Sequence, residues 1–322
     1  MSKSISAMLS IIMMLFLFGC VTTGGNEPAP DAAQFQVAKA DDIDKPYHHL
    51  VVLGDPHLPG KNIEAKEHVI QKINSWNDVE MVIAVGDICE DRGTDEEYAA
   101  ARKFFDKLNK PLYPIVGNHD YIYEDNLSSK GNRLRASPYS NEAKLHRFRE
   151  TFRLPSIYYD KKVGSYLLVF LSTDQSDFLA QISEKQIEWL STELDKNNKT
   201  PTLIFFHAPL KGTLHDYESK ANTPDYIAQP SAKIHDILMN NPQVFLWISG
   251  HTHTSPKEES FASSINVYKE RITNIHNTDM NRETIWTNSL CMYPDKIIVK
   301  TYDHKRGAWL PDLERTIFPP SL

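Results

Sequence analysis

Five short apolar runs, each followed by a cluster of Asp, Asn or His, constrain this chain more than any other feature. The runs cover residues 49–53, 79–85, 112–116, 202–206 and 244–248. The clusters are Gly54-Asp55-Pro56-His57, Gly86-Asp87, Gly117-Asn118-His119-Asp120, His207-Ala208-Pro209 and Gly250-His251-Thr252-His253. Short runs rich in β-branched and aromatic residues read as buried strands. Polar residues at the carboxyl ends of several strands converge on one edge of an α/β sheet, where such folds place their ligands. Segments far apart in sequence can then meet. The glycine before Asp55, Asp87, Asn118 and His251 is expected to let the chain turn sharply as it leaves each strand.

The seven side chains of Asp55, His57, Asp87, Asn118, His207, His251 and His253 offer oxygen and imidazole donors and no thiolate. That set suits two borderline-hard divalent ions such as Mn, Fe, Zn or Co. Two dications against two carboxylates leave a charge of about +2, which attracts an anionic substrate. Ions roughly 4 Å apart can share a carboxylate, lower the pKa of a bridging water toward ~7 and clamp an in-line displacement at phosphorus. The chemistry indicated is phosphoester hydrolysis, with monoester (phosphatase) and diester (phosphodiesterase) substrates both open.

Over residues of about 48 to 255 this pattern resembles the calcineurin-like metallophosphoesterases. The resemblance implies an α/β fold in which a two-sheet β-sandwich is flanked by helices, in four αββα layers. It also implies that Asp55, His57 and His253 bind one ion and Asn118, His207 and His251 the other. Asp87 would bridge them, and a metal-bridging hydroxide would attack phosphorus. His119 matches the family's phosphate-facing histidine, which assists the leaving oxygen, an effect worth ~10²–10⁴ in rate. Glu90, Asp91 and Asp120 are candidates to orient it. The phosphoprotein phosphatase branch carries Gly-Asp-x-x-Asp-Arg-Gly, whereas residues 86–93 here are one residue longer, so Arg92 is a displaced candidate for binding phosphate. Tyr158-Tyr159, the apolar run 166–173, and a helix over 183–197 containing Gln186, Trp189 and Leu190 resemble the branch of purple acid phosphatases and cyclic-nucleotide phosphodiesterase-like proteins. Ser183 and Gln186 suggest a capping box there, and Trp189 is expected to be core. The tyrosine ligand of purple acid phosphatases has no match, so a tyrosinate site is not expected.

The amino terminus carries a separate message. Lys3, an apolar run over residues 8–18 and Leu17-Phe18-Gly19-Cys20 resemble a bacterial lipoprotein signal, too short to span a bilayer. On that reading residues 1–19 are a signal peptide, Cys20 is lipidated, 20–46 is a flexible tether and 47–322 is one domain. An uncleaved anchor or a plain secretory signal is the alternative. Val21 favours the periplasmic face of the outer membrane over the inner membrane or a Gram-positive surface. A net charge of −7 argues against nucleic-acid binding. Cys89 and Cys291 are the other cysteines, and a bridge between them stays open.

Substrate choice should lie in loops. Residues 121–149 hold Lys130, Arg133, Arg135, Lys144, Arg147 and Arg149, and Lys211, His215 and Tyr217 follow the His207 strand. These three, with Arg92, are the candidate substrate contacts. Beyond His253, runs at 265–268, 283–286 and 296–302 are expected to complete the second sheet, with His276 and Asn277 solvated between them. A non-catalytic lipoprotein that binds a phosphorylated envelope ligand is the rival reading.

Overall fold

Leu50 and Val52 point to one side of the first strand, and Val51 and Leu53 to the other. This period-two split builds the layers. The computed structural model describes residues 46–215 and 220–322. The expected signal peptide, Cys20, residues 20–45 of the expected tether and Tyr217 therefore lie outside the described residues.

The chain runs β1 (His48–Leu53), α1 (Ile63–Asn74), β2 (Val79–Ala84), α2 (Asp95–Phe105), β3 (Leu112–Pro114) and α3 (Pro138–Phe152). It continues through β4 (Tyr159–Val163), β5 (Tyr166–Phe170), α4 (Glu184–Lys196), β6 (Thr202–Phe205), α5 (Ser231–Asn240) and β7 (Val244–Ser249). It closes with β8 (Val267–Tyr268), β9 (Ile272–His276), β10 (Trp286–Met292), β11 (Ile297–Asp303), β12 (Ala308–Trp309) and β13 (Arg315–Ile317).

The first sheet has the order β12-β11-β10-β1-β2-β3, with β13 also on β11. The second has the order β4-β5-β6-β7-β9-β8. Strands β1, β2 and β3 are mutually parallel, as are β5, β6, β7 and β9. Their carboxyl ends, and the polar clusters, therefore lie on one edge of each sheet. Leu50, Val52, Ile83, Phe170, Phe205, Ile248 and Leu290 fill the space between the sheets. Val51, Leu53 and Val82 face away from it, packing with Val69 and Ile70 of α1 and Phe104 of α2. On the far side Leu167, Val169 and Trp247 pack with Leu190 of α4 and Leu238 of α5. The architecture is four-layered αββα.

Three expectations need correction. The late strands β10 and β11 do not extend the second sheet; β10 pairs antiparallel with β1 in the first. The second sheet is completed by β8 and by β9, a strand not foreseen because its only apolar residues are Ile272 and Ile275. Residues 277–285 consequently cross from one sheet to the other, and His276 and Asn277 are buried rather than solvated. In α4, Ser183 caps Gln186 N, but the Gln186 side chain turns inward to bond Ser172 N and O, so the box is half formed. Trp189 packs against the apolar layer of α4 and α5, 5.0 Å from Tyr158. Cys89 and Cys291 are free and buried.

Candidate metal centre

The loops after β1, β2, β3, β6 and β7 bring all seven candidate ligands to one place. Ligand atoms of Asp55, His57, Asp87 and His253 lie within 4.8 Å of one another, and so do those of Asp87, His207 and His251. Asp87 belongs to both groups. Asn118 joins the second group, its Oδ1 3.1 Å from His207 Nε2. His207 Nε2 is 3.3 Å from Asp87 Oδ1, and His253 Nε2 is 2.8 Å from Asp55 Oδ2.

Backbone strain is concentrated in these same residues. Asp55 (φ 23°), His57 (46°), Asp87 (48°), His251 (65°) and His253 (51°) all occupy positive φ. For residues other than glycine such conformations cost ~1–3 kcal/mol each and persist where surrounding structure over-determines them. The expected glycine turns are thus largely misplaced: of Gly54, Gly86, Gly117 and Gly250 only Gly86 has positive φ. The others are needed for close approach. A Cβ on Gly117 would lie 2.4 Å from Asp87 Oδ1, and one on Gly250 2.0 Å from Asp55 Oδ1. Asp55 in turn accepts from His251 N at 2.9 and 3.1 Å, tying the β1 loop to the β7 loop. Asp120 ties the β2 and β3 loops by accepting from Cys89 N (2.8 Å) and Gly117 N (2.7 Å). Burial, reinforced by the Asp87 carboxylate, pushes Asp120 up to about 8.

The electrostatics suit a cation. Burial lowers His57 and His251 to about 4, so both imidazoles are neutral at physiological pH and able to donate a lone pair. For His207 burial acts in the same direction, but the Asp87 and Asp55 carboxylates outweigh it and raise the group to about 9. Asp87 is held well below the usual carboxylate range, because the surrounding histidines overcome its burial. A divalent ion between these groups would take over the part that the His207 proton plays. The residues present fit such an ion: the donor set lacks thiolate, and His57 and His253 turn their Nε2 atoms toward each other at 3.2 Å.

His119 lies at the same edge, its Nε2 3.9 Å from Asp87 Oδ2 and 3.4 Å from a guanidinium nitrogen of Arg133. None of its three candidate orienting carboxylates bonds it. Asp120 binds the two backbone amides above, Glu90 accepts from Gly60 N, and Asp91 pairs with Arg92 and Arg133. A cleft of about 400 Å³ opens over the site, lined among others by His119, Tyr123, Arg133, Lys220, Tyr226 and Arg282. Of the four candidate substrate contacts, the three that are described do not line it. Arg92 donates to Asp125 O at 2.5 Å, exposed Lys211 and His215 do not line the cleft, and Tyr217 is not described. Within the basic stretch 121–149, Lys144 and Arg147 bond the carbonyl of Gly93, so Arg133 is the cation of that stretch that faces the cleft.

Sequence reasoning missed several residues here. Tyr226 stacks on His251 with ring centroids 5.2 Å apart, and Tyr123 lies 4.8 Å beneath the Arg133 guanidinium. Lys66, fully buried, donates to His57 O at 2.7 Å. Asp279 stands 3.5 Å from His253 Nδ1. None belongs to a recognisable spacing, and a lone Tyr, Lys or Asp carries no signal until the loops are in place.

Comparison with known proteins agrees with this geometry. Residues 48–255 match the family described as Calcineurin-like phosphoesterase. The chain is 25% identical over 229 residues to a 3′,5′-cyclic adenosine monophosphate phosphodiesterase of Haemophilus influenzae, covering 67% of this chain and 73% of that protein. It is 24% identical over 232 residues to a 3′,5′-cyclic-nucleotide phosphodiesterase of a Nostoc species, covering 71% and 73%. Its fold is similar to that of a dimetal phosphatase from Danio rerio, with a TM-score of 0.59 at 14% identity over 86% of this chain and 100% of that one.

Proposed function

The chain belongs to the calcineurin-like phosphoesterase family and is a metal-dependent phosphoester hydrolase; from that premise we propose that it is a two-metal phosphodiesterase for small diesters. The observation that carries this reading is Asp87, whose carboxylate belongs to both groups of converging ligand atoms. Asp55, His57 and His253 would hold one ion and Asn118, His207 and His251 the other, with Asp87 shared. Two divalent ions bound there supply Lewis acidity toward phosphoryl oxygens and an activated water for in-line attack.

The chain's own residues supply the rest. Arg133 presents a guanidinium to the non-bridging oxygens, a contact that can be bidentate. His119, beside it, hands a proton to the departing oxygen as the phosphorus–oxygen bond breaks, which leaves an alcohol and a phosphomonoester, both on one molecule where the diester is cyclic. Tyr123 and Tyr226 flank the cleft and offer flat apolar surface to the non-phosphoryl part of the substrate. The relatives named above are cyclic-nucleotide phosphodiesterases, and a phosphodiester joined to a flat base is the kind of substrate such a surface would suit.

The same proposal places the enzyme at the periplasmic face of the outer membrane, anchored through a lipid on Cys20. The apolar run 8–18 and Leu17-Phe18-Gly19-Cys20 support that placement. Cys20→Ala should then release the protein from the membrane fraction; retention in that fraction would remove the lipid anchor from the proposal.

The direct test is hydrolysis of p-nitrophenyl phosphate and bis-p-nitrophenyl phosphate by the Mn-loaded full chain in detergent, with Asp87→Ala as control. Faster turnover of the diester, absent in the control, is expected. Turnover confined to the monoester would replace the phosphodiesterase assignment with a phosphatase.

A further inference from the structure

Four imidazoles surround the candidate centre, and what stands behind each differs. His207 Nδ1 faces the Val85 carbonyl oxygen at 2.9 Å, and His251 Nε2 faces the Asp225 carbonyl oxygen at 2.8 Å. His57 Nδ1 is buried without a hydrogen-bonding partner. Among the described residues, only His253 has a carboxylate from outside the ligand set behind it, with Asp279 Oδ2 3.5 Å from Nδ1.

Asp279 is itself buried and fixed on both oxygens. Arg282 Nε donates to Oδ2 at 2.5 Å, and Asn281 N donates to Oδ1 at 2.9 Å. The same short segment reaches the other residues of that half of the site. Arg282 donates to His253 O at 2.7 Å, and Met280 N to Asp55 O at 3.0 Å. Asn281 Oδ1 accepts from Lys66 Nζ at 2.6 Å, and that ammonium also donates to His57 O. Residues 277–282 thus hold Asp55 and His253 directly and His57 through Lys66. Among the described residues none of their hydrogen bonds goes to Asn118, His207 or His251. The segment also lies beyond residue 255, where the match to the family ends.

We propose that Asp279 is a positioning residue for one ion only, the one assigned to Asp55, His57 and His253. A carboxylate behind a coordinating imidazole fixes its tautomer and ring plane and makes the facing nitrogen a better donor; losing such a partner costs ~10–100-fold in metal affinity. His253 needs this most, because its ring is the most open to the cleft of the four, with 36% of the side chain exposed. Arg282 keeps the carboxylate aimed, and the buried Lys66–Asn281 contact keeps the His57 loop in register with it.

This inference rests on the two-ion reading, and its test separates the two. Mn²⁺ is titrated into the metal-free full chain in detergent, wild type and Asp279→Asn, and followed by calorimetry and by electron paramagnetic resonance. Wild type should bind two Mn²⁺ with a spin-coupled signal. Asp279→Asn should bind one ion 10–100-fold more weakly and the other within twofold of wild type, and show an uncoupled Mn²⁺ signal at limiting metal. Excess Mn²⁺ should restore both the coupling and kcat. Unchanged affinities, or equal weakening of both ions, would overturn the role given to Asp279. A wild-type chain that binds a single ion would refute the two-ion reading instead, and Asp279 would then stand or fall on that ion's affinity. Should Asp279→Asn fail to fold, Arg282→Gln carries the same test: a smaller loss confined to one ion is expected, and no loss would overturn the inference.

Discussion

Replacing Gly250 by Ala tests how the centre is assembled without substituting any candidate ligand. The backbone there is not in the left-handed region, so the added methyl meets no conformational penalty of its own. It would lie 2.0 Å from Asp55 Oδ1, 3.1 Å from Asp55 Cγ and 3.3 Å from Val85 Cγ2. Restoring a tolerable contact requires the carboxylate to retreat by about 1 Å, and misplacement on that scale can cost ~10² in rate. Asp55 would also lose at least one of its bonds to His251 N and His253 Nε2. Hydrogen bonds to charged groups contribute ~1.5–3 kcal/mol each, so a loss of about 2 kcal/mol is expected in metal-free protein. Urea unfolding in chelator would measure that loss, and kcat/KM on bis-p-nitrophenyl phosphate with saturating Mn²⁺ would measure the catalytic one. Gly131→Ala is the control, since Gly131 has φ +76° but open space around its Cβ; it should lose ~1–2 kcal/mol from strain and keep full activity. A Gly250→Ala enzyme with wild-type kcat/KM would refute the claim that close packing of the β7 loop fixes the Asp55 carboxylate.

Three further outcomes are expected. Chelation should lower the melting temperature and Mn²⁺ restore it, because each ion at 100 times its Kd adds ~2.7 kcal/mol; a melting temperature indifferent to chelator would contradict ion binding. Burial lowers His276 from 6.5 to about 3, against the weaker opposing effect of its hydrogen bond to Thr213 O. Between those values the unfolded chain holds a proton that the folded chain refuses, so stability present above pH 6.5 is lost as pH falls toward 3, at ~1.4 kcal/mol per unit. In chelator, His276→Asn should therefore show a shallower loss of urea stability between pH 6.5 and 4.5, and an unchanged slope would exclude His276 as its source. Tyr226→Ala should raise KM for the aryl diester several-fold, in line with ~0.5–1.5 kcal/mol for an aromatic contact, while Mn²⁺ stoichiometry stays the same; an unchanged KM would remove Tyr226 from the substrate surface.

Much of the site is legible in the linear chain because its rules are local. Each candidate ligand sits just past an apolar run, and a strand followed by a polar turn is readable within about ten residues. Asp55, Asp87, Asn118, His207 and His251 are thus placed at neighbouring strand ends by local pattern, and α4 follows from its Ser183 cap. What local rules cannot show is which loop passes in front of which strand end. The β9–β10 crossing arises because β10 pairs with β1 in the other sheet, and only that long-range pairing carries Asp279 to His253 and Asn281 to Lys66. The same holds for Arg133 rather than Arg92 lining the cleft, for buried His276, and for glycines needed at Gly117 and Gly250 to admit a neighbouring carboxylate rather than to turn the chain. Residue type and short-range periodicity along the chain carry the candidate ligand chemistry and the five strands that present it. The tertiary structure alone decided which residues aim the ligands, since that depends on contacts between segments about 25 to 220 residues apart, closed by strand pairing and burial rather than by any pattern along the chain.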